Sequence, residues 1–98
     1  MAIRNGIGEV VSVDATGTLV ALPGARKISI YNAGTNVVYA MVDSPLATLV
    51  AAVTAGTALP IPASSAYVFQ EDTSVQTYNT VAVACASGET ATAYVGGN

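Results

Sequence analysis

The stretch ISIYNAGTNVVYAMV, residues 28–42, consists of two short apolar runs separated by a polar segment, and it contains no charged residue. In its second run, 37–42, Val, Tyr and Met occupy the odd positions and Val, Ala and Val the even ones. A strand that is apolar on both faces is covered on both sides. We interpret the stretch as a hairpin with its turn at 32–36, where Gly34 adopts a positive φ. The core would cover one face of the second strand, and a following helix or a neighbouring subunit the other.

Short segments rich in Val, Ile, Thr and Tyr recur along the chain, and Gly, Asn, Pro or Ser separates most of them. This pattern is typical of an all-β sandwich or a small barrel. We predict an all-β fold, a small antiparallel β-sandwich of jelly-roll or immunoglobulin-like connectivity. The seven predicted strands are 10–13, 18–22, 28–31, 37–42, 67–69, 75–86, which is one bent strand or two, and 90–95.

The segment SPLATLVAAVTAG, residues 44–56, differs from the rest. Ser44 can cap free backbone N–H groups, Pro45 suits the first helical position, and Gly56 can end the helix in a left-handed conformation. This pattern predicts one short helix over 45–54. The alternative is an apolar loop or a buried strand.

The chain also contains an approximate internal repeat. Residues 17–30 align without gaps on residues 56–69: both begin with Gly-Thr and contain an apolar residue followed by proline, Leu22-Pro23 and Ile61-Pro62. We interpret the repeat as one β corner used twice, in which proline ends the first strand. The alternative is coincidence in a background rich in Ala, Thr and Gly.

A chain of 98 residues and 9.8 kDa fits one domain, which we place at 9–98 behind a possible flexible arm at 1–8. Charged residues make up 9% of the chain and apolar residues 52%. Such a surface is either coated with Thr, Ser and Asn or covered by another chain, and we expect both.

The charge balance and segment lengths exclude several classes of partner. The net charge is −3 with three basic residues, which is too few for binding a phosphate backbone, so we expect no nucleic acid. The apolar segment 45–55 is shorter than the ~20 residues of a membrane span, so we expect no membrane. No secretory signal is visible, and we expect synthesis in a cytoplasm.

The residues that usually carry catalysis are scarce. Histidine is absent, and Cys85 alternates onto the same side as Val81 and Val83, which predicts a buried core thiol. The adjacent pair Glu71 and Asp72 could hold Ca²⁺ if the chain turned there, but a solvated turn is the preferred interpretation. We therefore expect no enzyme, no catalytic residue, no metal and no cofactor.

Partner contact is expected at a few apolar and basic residues. We interpret the five tyrosines, all on predicted strands, as packing over core edges rather than lining a sugar site. The N-terminal arm could become ordered on a partner, or it could be a frayed or self-packed end. The candidate partner-contact residues are Ile3, Arg4, Ile7, Arg26 and Lys27.

Three segments, RKISIYNAGTNVVYAMV at 26–42, GTALPIPASSAYVF at 56–69 and VAVACASGETATAYV at 81–95, carry a family resemblance. Together they resemble small β-sandwich virion proteins of tailed bacteriophages, over about half of the chain. The resemblance implies a protein that decorates or cements a capsid, or belongs to a head fibre or tail. It also implies a symmetric homo-oligomer, with a trimer favoured, and no catalytic residue.

The leading hypothesis is therefore a non-enzymatic structural protein located in the virion, most simply a capsid decoration or cement protein. It would self-associate through its sheet faces or its N-terminal arm and bind the major capsid protein or another virion protein. The alternative is a small adhesion or glycan-binding module displayed on a virion, using loops such as 34–36 or 71–74. The absence of Trp, and of any aromatic residue in those loops, favours the structural hypothesis.

Overall fold

The structure, a computed structural model, describes residues 9–70 and 77–97. Within those ranges the chain forms eight strands and one helix, which confirms the predicted small all-β sandwich with a single helix. In chain order the elements are β1 Glu9–Val13, β2 Thr18–Ala25, β3 Lys27–Asn32, β4 Val38–Val42, α1 Leu46–Ala55, β5 Leu59–Ile61, β6 Ala66–Gln70, β7 Tyr78–Ala84 and β8 Ala91–Gly97. The short strand β5 was not predicted.

The strands form two antiparallel sheets of four strands each. Sheet A has the order β1-β8-β3-β6, and sheet B has the order β2-β7-β4-β5. Successive strands alternate between the sheets, except that α1 joins β4 to β5 within sheet B. This is the strand order of a jelly roll, and it decides between the two connectivities that the sequence left open.

The predicted hairpin at 28–42 is wrong. Strand β3 pairs with β6 and β8 in sheet A, whereas β4 pairs with β5 and β7 in sheet B, so 33–37 crosses between the sheets. The cause is the fully buried Asn32, whose side-chain N–H groups donate to the carbonyls of Asn36 (2.7 Å) and Ile61 (2.9 Å). These bonds hold the end of β3 against sheet B.

Gly34 is required in this crossing, but not for the predicted reason. It is not among the glycines with positive φ. A Cβ at Gly34 would lie 2.7 Å from the Cβ of Ala91 and 2.9 Å from its Cα, closer than real Cβ atoms approach. Close backbone approach therefore selects glycine here.

The core lies between the two sheets and is built by the alternating side chains of both. Cys85, 2% exposed, belongs to it together with Val81 and Val83, which confirms the predicted core position of this thiol. The largest of the other fully buried core side chains are Leu22, Ile28, Ile30, Ile61, Val13, Val38 and Val95.

Helix α1 covers β4 and β7 on the outer face of sheet B, whereas Leu19 and Ala21 of the edge strand β2 are exposed there. Leu49 is fully buried against Ala82 and Ala84 of β7, and Tyr39 and Met41 of β4 pack into the same cluster. Strand β4 is therefore apolar on both faces because the core covers one face and the helix of the same chain covers the other. The sequence predicted either a following helix or a neighbouring subunit as the cover of this second face, and the structure shows the helix.

The two ends of the helix have different capping interactions. The predicted Ser44 cap is wrong, because the Ser44 hydroxyl donates to the carbonyl of Val42 (3.2 Å) and Pro45 occupies the cap position. The predicted end is confirmed: Gly56 has a φ of 78°. The amides of Gly56 and Thr57 donate to carbonyls of the last turn at 3.2 and 2.9 Å, as in a Schellman motif.

The two copies of the approximate repeat have related structures. Residues 17–30 contain β2 and most of β3, residues 56–69 contain β5 and most of β6, and each copy passes from sheet B to sheet A. Leu22 and Ile61, the residues before the prolines, are buried at matching positions.

The prolines act differently in the two copies. Pro62 follows the last residue of β5, as predicted, but β2 continues past Pro23 to Ala25 with a shift in its register against β7. Pro23 lies in the register shift between Ala21 and Ala25, where β2 has no residue paired with β7, and β2 is an edge strand, the place where sheets tolerate proline.

A candidate functional site on the outer face of sheet A

The outer face of sheet A is exposed or half-buried on all four strands, whereas α1 covers β4 and β7 on the outer face of sheet B. The buried side chains of β1, β3 and β8 alternate with exposed or half-buried ones, and the pairing register extends this alternation to β6. We call the outward side the tyrosine face. Its residues are Val10, Ser12, Lys27, Ser29, Tyr31, Ala66, Val68, Gln70, Thr92, Tyr94 and Gly96.

A single apolar row crosses all four strands of this face. Val10 lies opposite Tyr94, Tyr94 opposite Tyr31, and Tyr31 opposite Ala66. The two tyrosine rings are 6.2 Å apart between centroids and are inclined by 27°, so they stack side by side. Val10, Tyr94 and Tyr31 are 61%, 46% and 42% exposed, which leaves a continuous apolar surface open to solvent.

The surroundings of this row are mostly polar and nearly uncharged, with Val68 as an apolar exception. Ser12 and Thr92 lie on one side of it, and Ser29 and the exposed Val68 on the other. Lys27 is the one charged residue among the described positions of the tyrosine face. An apolar patch with a polar rim is typical of a surface that contacts another macromolecule.

A shallow depression of about 290 Å³ lies where β1 and β8 meet their loops, and Ser12, Asp14, Thr90 and Thr92 are among the residues that line it. The Asp14 carboxylate accepts hydrogen bonds from the Thr16 hydroxyl (2.7 Å) and from the amides of Thr16 and Gly17 (both 3.1 Å). These hydrogen bonds lower the pKa of Asp14 from its usual 3.8, and the bond from the Thr16 hydroxyl has the largest effect, with the bond from the Gly17 amide second. Asp14 therefore has a structural role, closing the turn after β1.

Asp43 also has a structural role. Its backbone has a φ of 52°, and its carboxylate accepts hydrogen bonds from the amides of Asn79 (2.7 Å) and Thr80 (3.0 Å). Asn79 in turn accepts a bond from the amide of Gly24 at 3.2 Å. These bonds tie β4, β7 and β2 together within sheet B.

The structure describes two of the five predicted partner-contact residues. Arg26 is exposed at the corner between β2 and β3, and Lys27 is half-buried at the start of β3, on the tyrosine face. Ile3, Arg4 and Ile7, with the whole predicted arm at 1–8, lie outside the described residues. The contact prediction for all five residues stays a prediction.

Sequence reasoning missed Tyr31 and Tyr94 as site residues. The packing interpretation is right for Tyr78, which is buried, and for Tyr39, which is half-buried beneath α1. Tyr67 is 40% exposed on the edge strand β6. Its ring packs edge to face against Phe69, with the ring centroids 4.9 Å apart. Strand side chains alternate between the two faces, and Ile28 and Ile30 are buried, so Tyr31 lies on the opposite, outward face. This period of two in the sequence could have predicted the exposure of Tyr31.

The loop 34–36, predicted as a possible glycan-binding loop, is held by internal bonds. The Asn36 side chain donates to the carbonyl of Thr90 at 2.9 Å, and the amide of Gly34 donates to the Asn32 side chain at 2.9 Å. The second such loop, 71–74, and with it the alternative Ca²⁺ pair Glu71 and Asp72, lie outside the described residues.

Across 9–70 and 77–97, no three His, Cys, Asp or Glu side chains come together as a metal site. In the same ranges no helix is long and apolar enough to cross a membrane. Burial, helped by the charges of Glu89 and Asp14, raises the pKa of the Cys85 thiol, which is the behaviour of a buried structural cysteine.

No protein-family model matches the chain, and no curated protein matches it. The fold is similar to that of PirA, whose crystal structure aligns with a TM-score of 0.53 and 12% sequence identity over 97% of this chain and 96% of that chain. At this identity the similarity concerns the fold alone. The resemblance to phage virion proteins stays a prediction.

Proposed function

We propose that this chain is a non-enzymatic structural protein of a tailed-phage particle, a capsid decoration or cement protein that self-associates and binds the major capsid protein. The observation that carries the proposal is the asymmetry of the sandwich. The helix of the same chain covers β4 and β7 on the outer face of sheet B, whereas the tyrosine face exposes a row of Val10, Tyr31 and Tyr94. In a shell, that face would contact a protein surface, either the capsid or a neighbouring copy.

The chemistry of the described polar side chains supports a structural role. The carboxylates of Asp14 and Asp43 accept bonds from backbone amides, and the side chains of Asn32 and Asn36 hold loops in place. These side chains are engaged in maintaining the fold. The fold is compatible with the proposal, since jelly rolls occur in viral capsid proteins and also in lectins, but a fold alone does not select a function.

The proposal is tested on the particle. Mass spectrometry and immunogold labelling of phage particles purified from a host carrying this coding sequence should detect the protein on the shell, where it would be placed after synthesis in the host cytoplasm. Its absence from purified particles would overturn the proposal.

A reconstitution assay then tests the role of the tyrosine face. Capsids lacking the protein are incubated with wild type, Tyr94→Ser or Leu19→Ser. Leu19 is 48% exposed on sheet B, so its substitution matches that of Tyr94 (46%) in exposure but not in location. We expect Tyr94→Ser to lower capsid occupancy at least about tenfold, as for a residue at an interface centre, and Leu19→Ser to leave it unchanged.

The exposed Tyr31–Tyr94 pair also favours a second candidate, an adhesion module that binds neutral glycans through the tyrosine face. Ser12, Ser29 and Thr92 would supply hydroxyl groups beside the aromatic rings. A glycan array distinguishes the candidates: binding by wild type and Leu19→Ser, lost in Tyr94→Ser, would support adhesion. An array without a signal would count against it.

A further inference from the structure

We propose that this chain pairs with a second copy of itself along the free edge of β6, so that sheet A of the two copies becomes one antiparallel sheet of eight strands. A two-fold axis at right angles to the sheet passes between the two Val68 residues. This inference deepens the proposed function, on whose self-association it rests, by naming the surface through which two copies meet. It replaces the expected trimer with a two-fold pair.

The two edge strands of sheet B are protected against pairing with another strand. Edge strand β2 contains Pro23 and a shift in register between Ala21 and Ala25. The opposite edge strand, β5, is three residues long, with Pro60 at its centre. Proline, bulges and short length are features that keep a sheet edge from adding a strand. Sheet B therefore offers no suitable edge.

Two hydrogen bonds after β3 show which backbone groups of sheet A point to its free edges. The amide of Asn32 donates to the carbonyl of Ser65, and the amide of Ala33 donates to the carbonyl of Thr92, both at 2.8 Å. In an antiparallel ladder the residues of a strand bond alternately to one neighbour and to the other. The even-numbered residues of β3 therefore bond to β6, and the odd-numbered ones bond to β8.

The free edge of β6 is open over the whole strand. Tyr67 and Phe69 are the residues that bond to β3, so the N–H and C=O groups of Ala66, Val68 and Gln70 point to the free edge. The strand contains no proline and no charged residue, and its register with β3 is unbroken. No strand of the described part of the chain pairs with this edge.

The other edge of sheet A, on β1, is less open. The same alternation leaves Val10 and Ser12 with backbone groups at that edge. The Thr18 hydroxyl donates to the carbonyl of Ser12 at 3.4 Å, and Glu9 adds a charge to the strand. Among the edges described, that of β6 is therefore the one suited to a further strand.

Strand β6 is complementary to a second copy of itself. When two copies run antiparallel with Val68 opposite Val68, all five residues of the strand are paired. The residues with free backbone groups then meet one another, because Ala66 of each copy lies opposite Gln70 of the other. Three such pairs, each exchanging two hydrogen bonds, give about six new backbone bonds.

The side chains match in the same register. Tyr67 of each copy lies opposite Phe69 of the other, at positions where opposite side chains come closest. Tyr67 is exposed and Phe69 is half-buried, so both rings have surface available for a partner. Aromatic pairs across neighbouring strands stabilise a sheet. The pair thus covers aromatic surface that a single copy leaves open.

The charges near β6 lie at one end of it. Lys27 lies opposite Gln70, and Arg26 precedes Lys27. The acidic residues 71–72 follow Gln70 in the sequence, whereas Glu9 lies on β1, at the far edge of the sheet. The half-turn places the two Gln70 residues about 14 Å apart, at opposite ends of the ladder. A parallel pair would place like charges side by side, so the charges favour the antiparallel pair.

The pair also fits the proposed role of the tyrosine face. A half-turn about an axis at right angles to the sheet keeps the outer faces of both copies on the same side. The joined sheet therefore presents two tyrosine faces next to each other, without covering either.

The size of the contact sets its strength. A five-residue ladder is about 17 Å long, and packed sheets are about 10 Å apart, so the edge offers roughly 200–400 Å². A standard interface buries about 800 Å² per partner. We therefore expect a weak pair in solution, with a Kd on the order of 10 μM to 1 mM, which many copies on one lattice would reinforce.

Sedimentation equilibrium of the full chain over this concentration range tests the pairing. Val68→Pro removes an N–H group from the free edge and leaves the bonds from β6 to β3 in place, so it should weaken the dimer at least about tenfold. The matched control is Val10→Pro, which removes an N–H group from the other edge of sheet A and should leave the dimer unchanged. Circular dichroism and the thermal midpoint show whether each variant is folded.

Three results would overturn the proposal. They are a wild-type monomer at every concentration, a dimer that folded Val68→Pro leaves intact, and a dimer that Val10→Pro weakens as much as Val68→Pro does.

Charges placed at the centre of the ladder test the two-fold register and keep the backbone N–H group. Val68→Lys or Val68→Glu alone places like charges opposite each other, so each should weaken the dimer about threefold to tenfold. An equimolar mixture of the two should restore it, because opposite charges then meet. The same two substitutions at Val10 are the control and should have no effect, alone or mixed. A mixture of the Val68 variants that fails to restore the dimer would contradict this arrangement.

The outcomes separate this inference from the proposed function. A monomer that nevertheless occupies purified capsids would overturn the pairing and leave capsid decoration standing. A dimer that is absent from phage particles would leave the pairing standing and overturn the proposed function.

Discussion

The side chain of Asn32, at the end of β3 in sheet A, donates a 2.9 Å hydrogen bond to the carbonyl of Ile61, the last residue of β5 in sheet B. Asn32 is fully buried, and its other bonds, to the carbonyl of Asn36 and from the amide of Gly34, fix the crossing between the sheets. One polar side chain thus joins the two sheets.

Asn32→Ala should lower the free energy of unfolding by about 2–4 kcal/mol, because it leaves the buried carbonyl of Ile61 and two loop groups without their partner. The matched control is Asn36→Ala, which removes one exposed bond to Thr90 and should cost about 1 kcal/mol or less. Urea unfolding of both variants measures the difference. Equal losses of unfolding free energy in the two variants would show that the burial of Asn32 adds no stability.

Gly34→Ala should destabilise the fold by about 1–3 kcal/mol through steric overlap with Ala91. Gly24→Ala offers a contrast, since Gly24 has a φ of 73° and open space around it, so its cost of about 1–2 kcal/mol is conformational. Adding Ala91→Gly should recover part of the loss in Gly34→Ala and none in Gly24→Ala. Thermal unfolding of the single and double variants checks this, and absence of recovery would contradict the overlap.

Leu49→Ala should cost about 2–5 kcal/mol, because Leu49 is the fully buried side chain that packs α1 onto Ala82 and Ala84. Leu19→Ala, at an exposed position on the same sheet, should change stability by less than about 1 kcal/mol. Chemical denaturation gives both values. Binding of a hydrophobic dye to native Leu49→Ala would further show that apolar surface of sheet B is uncovered. A loss of unfolding free energy as small as that of Leu19→Ala would show that Leu49 does not hold α1 on the sheet.

Asp14 should contribute a stability that depends on pH. Its pKa in the folded protein lies below the 3.8 of the free side chain, so the unfolded chain binds the proton more tightly. The contribution is present above pH 3.8 and is lost as the pH falls through the lower, folded pKa. Asp14→Asn keeps an acceptor oxygen without the charge, so the difference between the urea midpoints of wild type and variant should shrink below that pH. A constant difference would contradict the shift.

Cys85 should react slowly with a thiol reagent in the native protein and rapidly in denaturant. Burial raises the pKa of the thiol above 9.0, which keeps the reactive thiolate rare, and the side chain is 2% exposed. Labelling kinetics in buffer and in urea measure the protection. Cys85→Ala serves as the unlabelled control, and fast native labelling would place the thiol outside the core.

Much of the architecture was readable from local patterns. Alternating Val, Ile and Thr segments between turn residues predicted an all-β sandwich, and the alternation of Cys85 with Val81 and Val83 placed the thiol in the core. Gly56 ended the predicted helix, because a left-handed C-terminal residue is a local requirement that sequence expresses directly.

Tertiary structure decided what local patterns could not. The run 28–42 has the composition of a hairpin, yet its strands belong to different sheets. The bond from Asn32 to Ile61 joins residues 29 positions apart, so it forms only when the two sheets pack together. The jelly-roll order likewise follows from pairings between strands distant in the chain, such as β1 with β8.

The candidate site was decided in the same way. Tyr31 and Tyr94 are 63 positions apart along the chain, and only the pairing of β3 with β8 places their rings side by side. Whether an apolar strand face is open or covered depends on where α1 packs, and α1 packs on β4 and β7 of sheet B. Composition predicted that much apolar surface would need a cover, whereas the packing of α1 determined which strands have an exposed outer face.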